Sequence, residues 1–191
     1  MANISSLGNL VSTDSLDLDD YKESTPTPFR MARAGRYTLR APEFTDEAFT
    51  STRENYLQAR IDPTIVGPTN EGTQIRYSNV SAKTFERDGA QVSFAGLYLR
   101  ACGHKGPIPG DPQALADLIA STSNQTYDAQ LDWEANHRAT GFKVKGMKNF
   151  PKGADGEYQS WVDHPTEKGA DGQPLRVWAN LVIKRFIAPG E

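Results

Sequence analysis

Any chemistry in this chain must come from a short roster of side chains. The single cysteine, Cys102, stands two residues before His104, and the other histidines are His137 and His164. A thiol nucleophile needs a base beside it and a third group to orient that base. In "RACGHKGPIPG" no Asn or Asp stands at a spacing that supplies one. Together these four side chains have enough ligands for zinc, but they lack the paired spacing of a zinc motif. The pentapeptide Lys-Gly-Ala-Asp-Gly occurs at 152–156 and again at 168–172, with one Asp per copy. A calcium loop needs several oxygen ligands at alternating positions. Asp-Gly, by contrast, suits a tight turn, because both residues tolerate positive φ. The repeat therefore reads as two turns around the short segment "EYQSWV". "GPTNEG" at 67–72 lacks the Lys-Ser/Thr ending of a phosphate loop. No grouping here specifies an enzyme, and none calls for a cofactor or a metal.

A second set of residues points to binding. Arg36, Arg40, Arg60, Arg76 and Arg100 fall on the non-core faces of four successive predicted strands, with Tyr56, Phe94 and Tyr98 on the same faces. The later segment "KVKGMKNFPK" adds Lys143, Lys145, Lys148, Lys152 and Phe150. Cations at this spacing neutralise successive phosphates, and rings between them stack on bases. Single strands are held in this way without sequence preference. Asp128, Asp132 and Glu134 alternate on a neighbouring strand and repel phosphate there. The same arginines and tyrosines also suit ordinary solvated strand faces.

Short alternating segments must position these residues. Tyr37 and Leu39 oppose Arg36, Thr38 and Arg40, and Leu57, Ala59 and Ile61 oppose Tyr56, Gln58 and Arg60. Ile75 and Tyr77 oppose Gln74, Arg76 and Ser78 in the same way. "QVSFAGLYLRACG" sets Ala95, Leu97, Leu99 and Ala101 inside, and Phe94, Tyr98 and Arg100 outside. A helix follows, with Asp111 as N-cap, Pro112 in the first turn, and Leu115, Leu118 and Ile119 as its apolar stripe. Tyr127, Ala129, Leu131, Trp133 and Ala135 form the longest alternation, and Val177, Ala179, Leu181 and Ile183 form another. A one-residue slip inverts a strand's faces, so each pattern fixes which side is core.

With 191 residues, 37% of them hydrophobic, the chain suits one domain with long loops. No apolar run approaches the roughly 20 residues that span a bilayer, so no membrane partner is expected. The lone cysteine fits a reducing cytoplasm. A net charge of −3 excludes a uniformly basic nucleic-acid binder but allows a local basic face. Residues 1–34 are Ser-, Thr- and Asp-rich and read as a flexible acidic arm that ends past Pro-Thr-Pro at 26–28. The rest, 35–191, reads as a single mainly β domain. Several strands, one helix, then strands again is the order of a partly open five-stranded OB-fold barrel, and a β-sandwich with one covering helix gives a similar pattern.

In that order, and in "DPTIVGPTNEGTQIRYSNVSAKTF" followed by "GLYLRACG", the chain resembles phage-encoded OB-fold single-stranded-DNA-binding replication proteins. The resemblance spans roughly Gly35 to Ala188 and is one of organisation. It implies a non-enzymatic protein that coats single-stranded DNA in the host cytoplasm and self-associates. Bacterial-type members often recruit partners through an acidic C-terminal tail. Here the acidic segment, Asp14–Asp20, is at the other end, where it could recruit a replication partner. The competing expectation is a virion structural or decoration protein with no nucleic-acid role.

Overall fold

The computed structural model describes residues 32–67 and 69–190. The acidic segment Asp14–Asp20 and most of the expected arm lie outside those residues. In chain order the elements are β1 (Gly35–Arg40), β2 (Phe49–Ser51), β3 (Leu57–Arg60), β4 (Thr64–Val66), β5 (Asn79–Ser81), β6 (Thr84–Arg87) and β7 (Ala90–Ser93). They continue with α1 (Phe94–Ala101), α2 (Pro112–Ala120), β8 (Thr126–His137), β9 (Phe142–Lys145), β10 (Trp161–Lys168) and β11 (Pro174–Ile187).

The fold is mainly β and partly open. Its spine is β8, whose alternation buries Tyr127, Ala129, Leu131, Trp133 and Ala135 on one face. Along one edge of β8 lies β11, and along the other lie β1 and then β9, all antiparallel. With β10 outside β11 and β4 outside β1, this makes a six-stranded sheet. A three-stranded sheet, β2-β3-β5, and a two-stranded ribbon, β6-β7, complete the fold. Among the described residues no sheet closes into a barrel, in keeping with the partly open β fold expected. The core lies between the inner sheet face, the three-stranded sheet and the helices, where Leu39, Ile61, Ile65, Ile75 and Leu99 are all buried.

The helix α2 has the expected cap, with Asp111 Oδ1 accepting the Ala114 N–H at 2.8 Å, and it buries Leu115 and Ile119. A second helix, α1, replaces the strand expected across "FAGLYLRA". The Ser93 hydroxyl accepts the Gly96 N–H at 3.0 Å and starts it. At its other end the His104 N–H bonds to the Leu99 carbonyl and the Gly103 N–H to that of Arg100, with Gly103 at φ +87°. Paired bonds of this kind around a left-handed glycine close a helix. Ala95, Tyr98 and Leu99 then face inward at helical spacing.

The strand expected over Gln74–Val80 shrinks to β5. Gln74 makes one bridge to Thr64, the chain turns at Arg76 and Tyr77, and Tyr77 has φ +60°. Tyr77 is therefore outside, 68% exposed, and not in the core. The two pentapeptides are turns, as read, and they are built alike. Gly153 N–H bonds to Glu157 O and Gly169 N–H to Gln173 O, both at 2.8 Å. Asp155 and Asp171 each accept the N–H two residues on, at 3.1 and 3.0 Å. The second turn joins β10 to β11. At the arm boundary, Ala32 is buried and its carbonyl accepts the Trp133 indole N–H at 2.6 Å. Ala32, before Gly35, thus already packs with the domain. No helix among the described residues is long and apolar enough to cross a membrane.

Candidate nucleic-acid interface

The residues expected to form one basic, aromatic face are distributed over several places. Arg36 and Arg40 are exposed on the outer face of β1, and Lys143 and Lys145 are exposed on β9 of the same sheet. Arg36 is bonded to Asp128 at 2.7 Å, and the Thr38 hydroxyl donates to the same carboxylate at 2.7 Å. The Thr38 bond holds the Asp128 carboxyl below its usual range; burial opposes this and Arg36 adds to it. Lys143 and Lys184 both bind Glu134, at 2.7 and 3.0 Å. Burial pushes the Glu134 carboxyl up, and the two lysines outweigh it and bring it down. Arg60 pairs with the buried Asp62, whose other oxygen accepts the Ser78 N–H at 2.7 Å.

Two expected rings are inside. Phe150 is 4% exposed, and Lys148 precedes it in a short 3-10 turn, Met147–Asn149. Tyr98 is 0% exposed because α1 turns it inward. Its hydroxyl shares a hydrogen bond with Thr122 Oγ1 at 2.7 Å, and its ring meets those of Tyr127 and Phe186 edge-on at 5.2 and 5.7 Å. Burial pushes that hydroxyl well above the usual tyrosine range. Tyr56 and Arg100 instead share an apolar groove of about 460 Å³ beside α1, and Arg100 donates to the His104 carbonyl at 2.8 Å. Arg76 is exposed on the turn before Tyr77.

Phe94, 49% exposed at the start of α1, leads to a different site. It lines a cleft of about 460 Å³ with Tyr77, Phe85, Arg87, Lys184 and Arg185. Separate devices position each of these. The Ser93 cap sets the direction of Phe94, whose ring lies 4.9 Å from that of Phe85. Phe85 stands on the β6–β7 ribbon, closed at Asp88 and Gly89, both with positive φ. The left-handed turn projects Tyr77. On β11, Ile183 pairs with Leu131 and Arg185 with Gln130, so Lys184 is the extra residue of a bulge. A bulge re-aims the side chains around it. Here it delivers two consecutive cations to the cleft.

Among the described lining residues no carboxylate appears. Lys184 reaches out to Glu134 on the sheet, and Arg87 has only a 3.6 Å contact to the exposed Asp88. Flat apolar surface beside cations, without carboxylates, suits a ligand with planar rings and negative charge. Of the expected residues only Phe94 belongs here. Tyr77, Phe85, Arg87, Lys184 and Arg185 were missed, although "FERDGAQV" holds a clear Asp-Gly hairpin signal.

The Cys and His set divides in two. Burial pushes the Cys102 thiol up to about 11, opposite to the shift that activates a nucleophile. The His104 ring contacts the Pro107 carbonyl at 3.2 Å. His137 and His164 instead meet at Thr140, whose hydroxyl lies 2.8 and 2.7 Å from their ring nitrogens. Among the described residues no three His, Cys, Asp or Glu side chains gather to hold a metal. No family model, curated protein or solved structure matches the chain.

Proposed function

We propose that the protein binds single-stranded DNA without catalysis, in the replication or recombination system of a phage. The observation that carries this reading is the cleft, where Tyr77, Phe85 and Phe94 stand beside Arg87 and Arg185 with no carboxylate among the described lining residues. Bases stack on the exposed rings, and phosphates pass Arg185 of β11 and Arg87 of the ribbon. Stacking and phosphate contact together account for sequence-tolerant single-strand binding. The resemblance of its sequence to phage OB-fold binding proteins points the same way. In this role the protein works in the host cytoplasm, self-associates along the strand, and offers Asp14–Asp20 to a replication partner.

Fluorescence-anisotropy titration with labelled single-stranded and duplex oligonucleotides, at two salt concentrations, tests the proposal. Single strands should bind more tightly than duplex, and their affinity should fall as salt rises. Equal affinity for both forms rejects it, and no salt-sensitive binding alongside stable co-purifying assemblies rejects it in favour of a virion structural role.

A further inference from the structure

We infer that the tryptophan pair of the β10–β11 hairpin is a second stacking platform for the same strand, so that full affinity requires a strand long enough to reach it. This rests on the single-strand reading above. Trp161 and Trp178 are direct cross-strand partners, with rings 5.6 Å apart. The Arg176 guanidinium lies 4.9 Å from the centre of the Trp161 ring and backs it. Trp178 is left 58% exposed. An indole held by neighbours yet open to water is a surface prepared for another flat ring.

Position argues for the occupant. On β11 the outward residues run Trp178, Asn180, Val182, ending at Lys184, whose bulge opens on the cleft. Six residues of strand at about 3.3 Å each place the pair roughly 20 Å from that end of the cleft. At a stacked rise of about 3.4 Å per nucleotide, roughly six nucleotides bridge the gap. The acids on the ground between them are already bonded: Asp132, opposite Val182, accepts the Met147 N–H at 2.9 Å. Glu134 is bound by both Lys143 and Lys184, and Lys145 stands opposite Glu134 across the β8–β9 pair. Arg176 faces Asp163 at the far end. Between the pair and the cleft Lys143, Lys145 and Lys184 stand beside Asp132 and Glu134, while Arg176 and Asp163 lie beyond the pair.

The experiment compares oligo(dT) of about 4 and about 16 nucleotides, the ends of the site-size range for single-strand binding modules. Anisotropy gives affinity, and intrinsic fluorescence reports the tryptophans, with buried Trp133 as the steady background. The longer strand should quench the emission, and the shorter should bind the cleft with little quenching. Trp178→Ala should weaken the longer strand roughly 5- to 150-fold and leave the shorter unchanged. Trp178→Phe, which keeps a ring, should restore most of the affinity. If Trp178→Ala binds both lengths like the parent, the platform is no part of the path. If the substitution instead dissociates an oligomer in sedimentation, the pair is a protein interface and the inference fails. If the parent binds neither length, the cleft reading falls first and takes the platform with it.

Discussion

The outer face of the six-stranded sheet carries more charge than the cleft, yet the cleft is the better candidate for an anion. On the sheet, Arg36 is bonded to Asp128, and Lys143 and Lys184 are bonded to Glu134. A cation already held by a carboxylate gives a phosphate little, since binding one loses the other. In the cleft, Arg87 stands beside rings with no carboxylate among the described lining residues and only a 3.6 Å contact to the exposed Asp88. The number of basic residues on a surface thus says less than what each is bonded to.

The largest test strikes at the support beneath the cleft. Tyr98 anchors α1 from inside and fixes where Phe94 is presented. Tyr98→Ala should cost about 3–5 kcal/mol in a denaturant melt, as buried aromatic truncations do. A loss of a few tenths would mean that α1 does not bury this ring. Next comes Phe94→Ala, expected to cost about 1–3 kcal/mol of single-strand affinity while leaving the salt dependence nearly unchanged. Retained affinity would turn the cleft back into ordinary surface.

A matched pair of arginines sharpens the contrast. Arg87→Ala should reduce the slope of log K against log salt by up to ~0.7, the value for one phosphate contact on a single strand. Arg36→Ala, which removes a cation bonded to Asp128, should leave the slope as it is. Equal effects from both would erase the distinction between the two regions. The smallest effect concerns stability alone. Because the Asp128 carboxyl sits below its ordinary 3.8 when folded, its contribution is complete above that value and fades as pH falls through the folded value. Asp128→Asn should cost less than ~1 kcal/mol at neutral pH, with a shallower loss of stability on acidification. Urea melts between neutral and acid pH read this directly.

Legibility from sequence followed the length of each pattern. Along β8, twelve residues alternate without a break, and no helical period fits them. The cap and stripe of α2 were equally plain. Over "FAGLYLRAC" both periods fit: Ala95, Leu97, Leu99 and Ala101 for a strand, Ala95, Tyr98, Leu99 and Cys102 for a helix. Two local signals could have decided it, Ser93 at the start and Gly103 just past the end. Reading the strand sent Tyr98 outward, and the expected arginine face rested partly on that error. The cleft itself had no such local trace. It gathers Tyr77, Phe85, Phe94 and the β11 bulge from distant parts of the chain, and only the packing of α1 against β11 and β5 brings them together.

The pairing of β1 with β8 sets a timetable for folding. Arg36 meets Asp128 across 92 residues of chain, and every register position of β1 along β8 spans a comparable distance. During synthesis β1 can pair early with β4, but Leu39 and Ile65 then wait with one edge uncovered until β8 has left the ribosome. Long-range pairing of this kind is slow and leaves strand edges open to other chains meanwhile. When the protein is produced in quantity, aggregation should begin in that interval. Cooler, slower expression should relieve it more than any substitution on the finished surface.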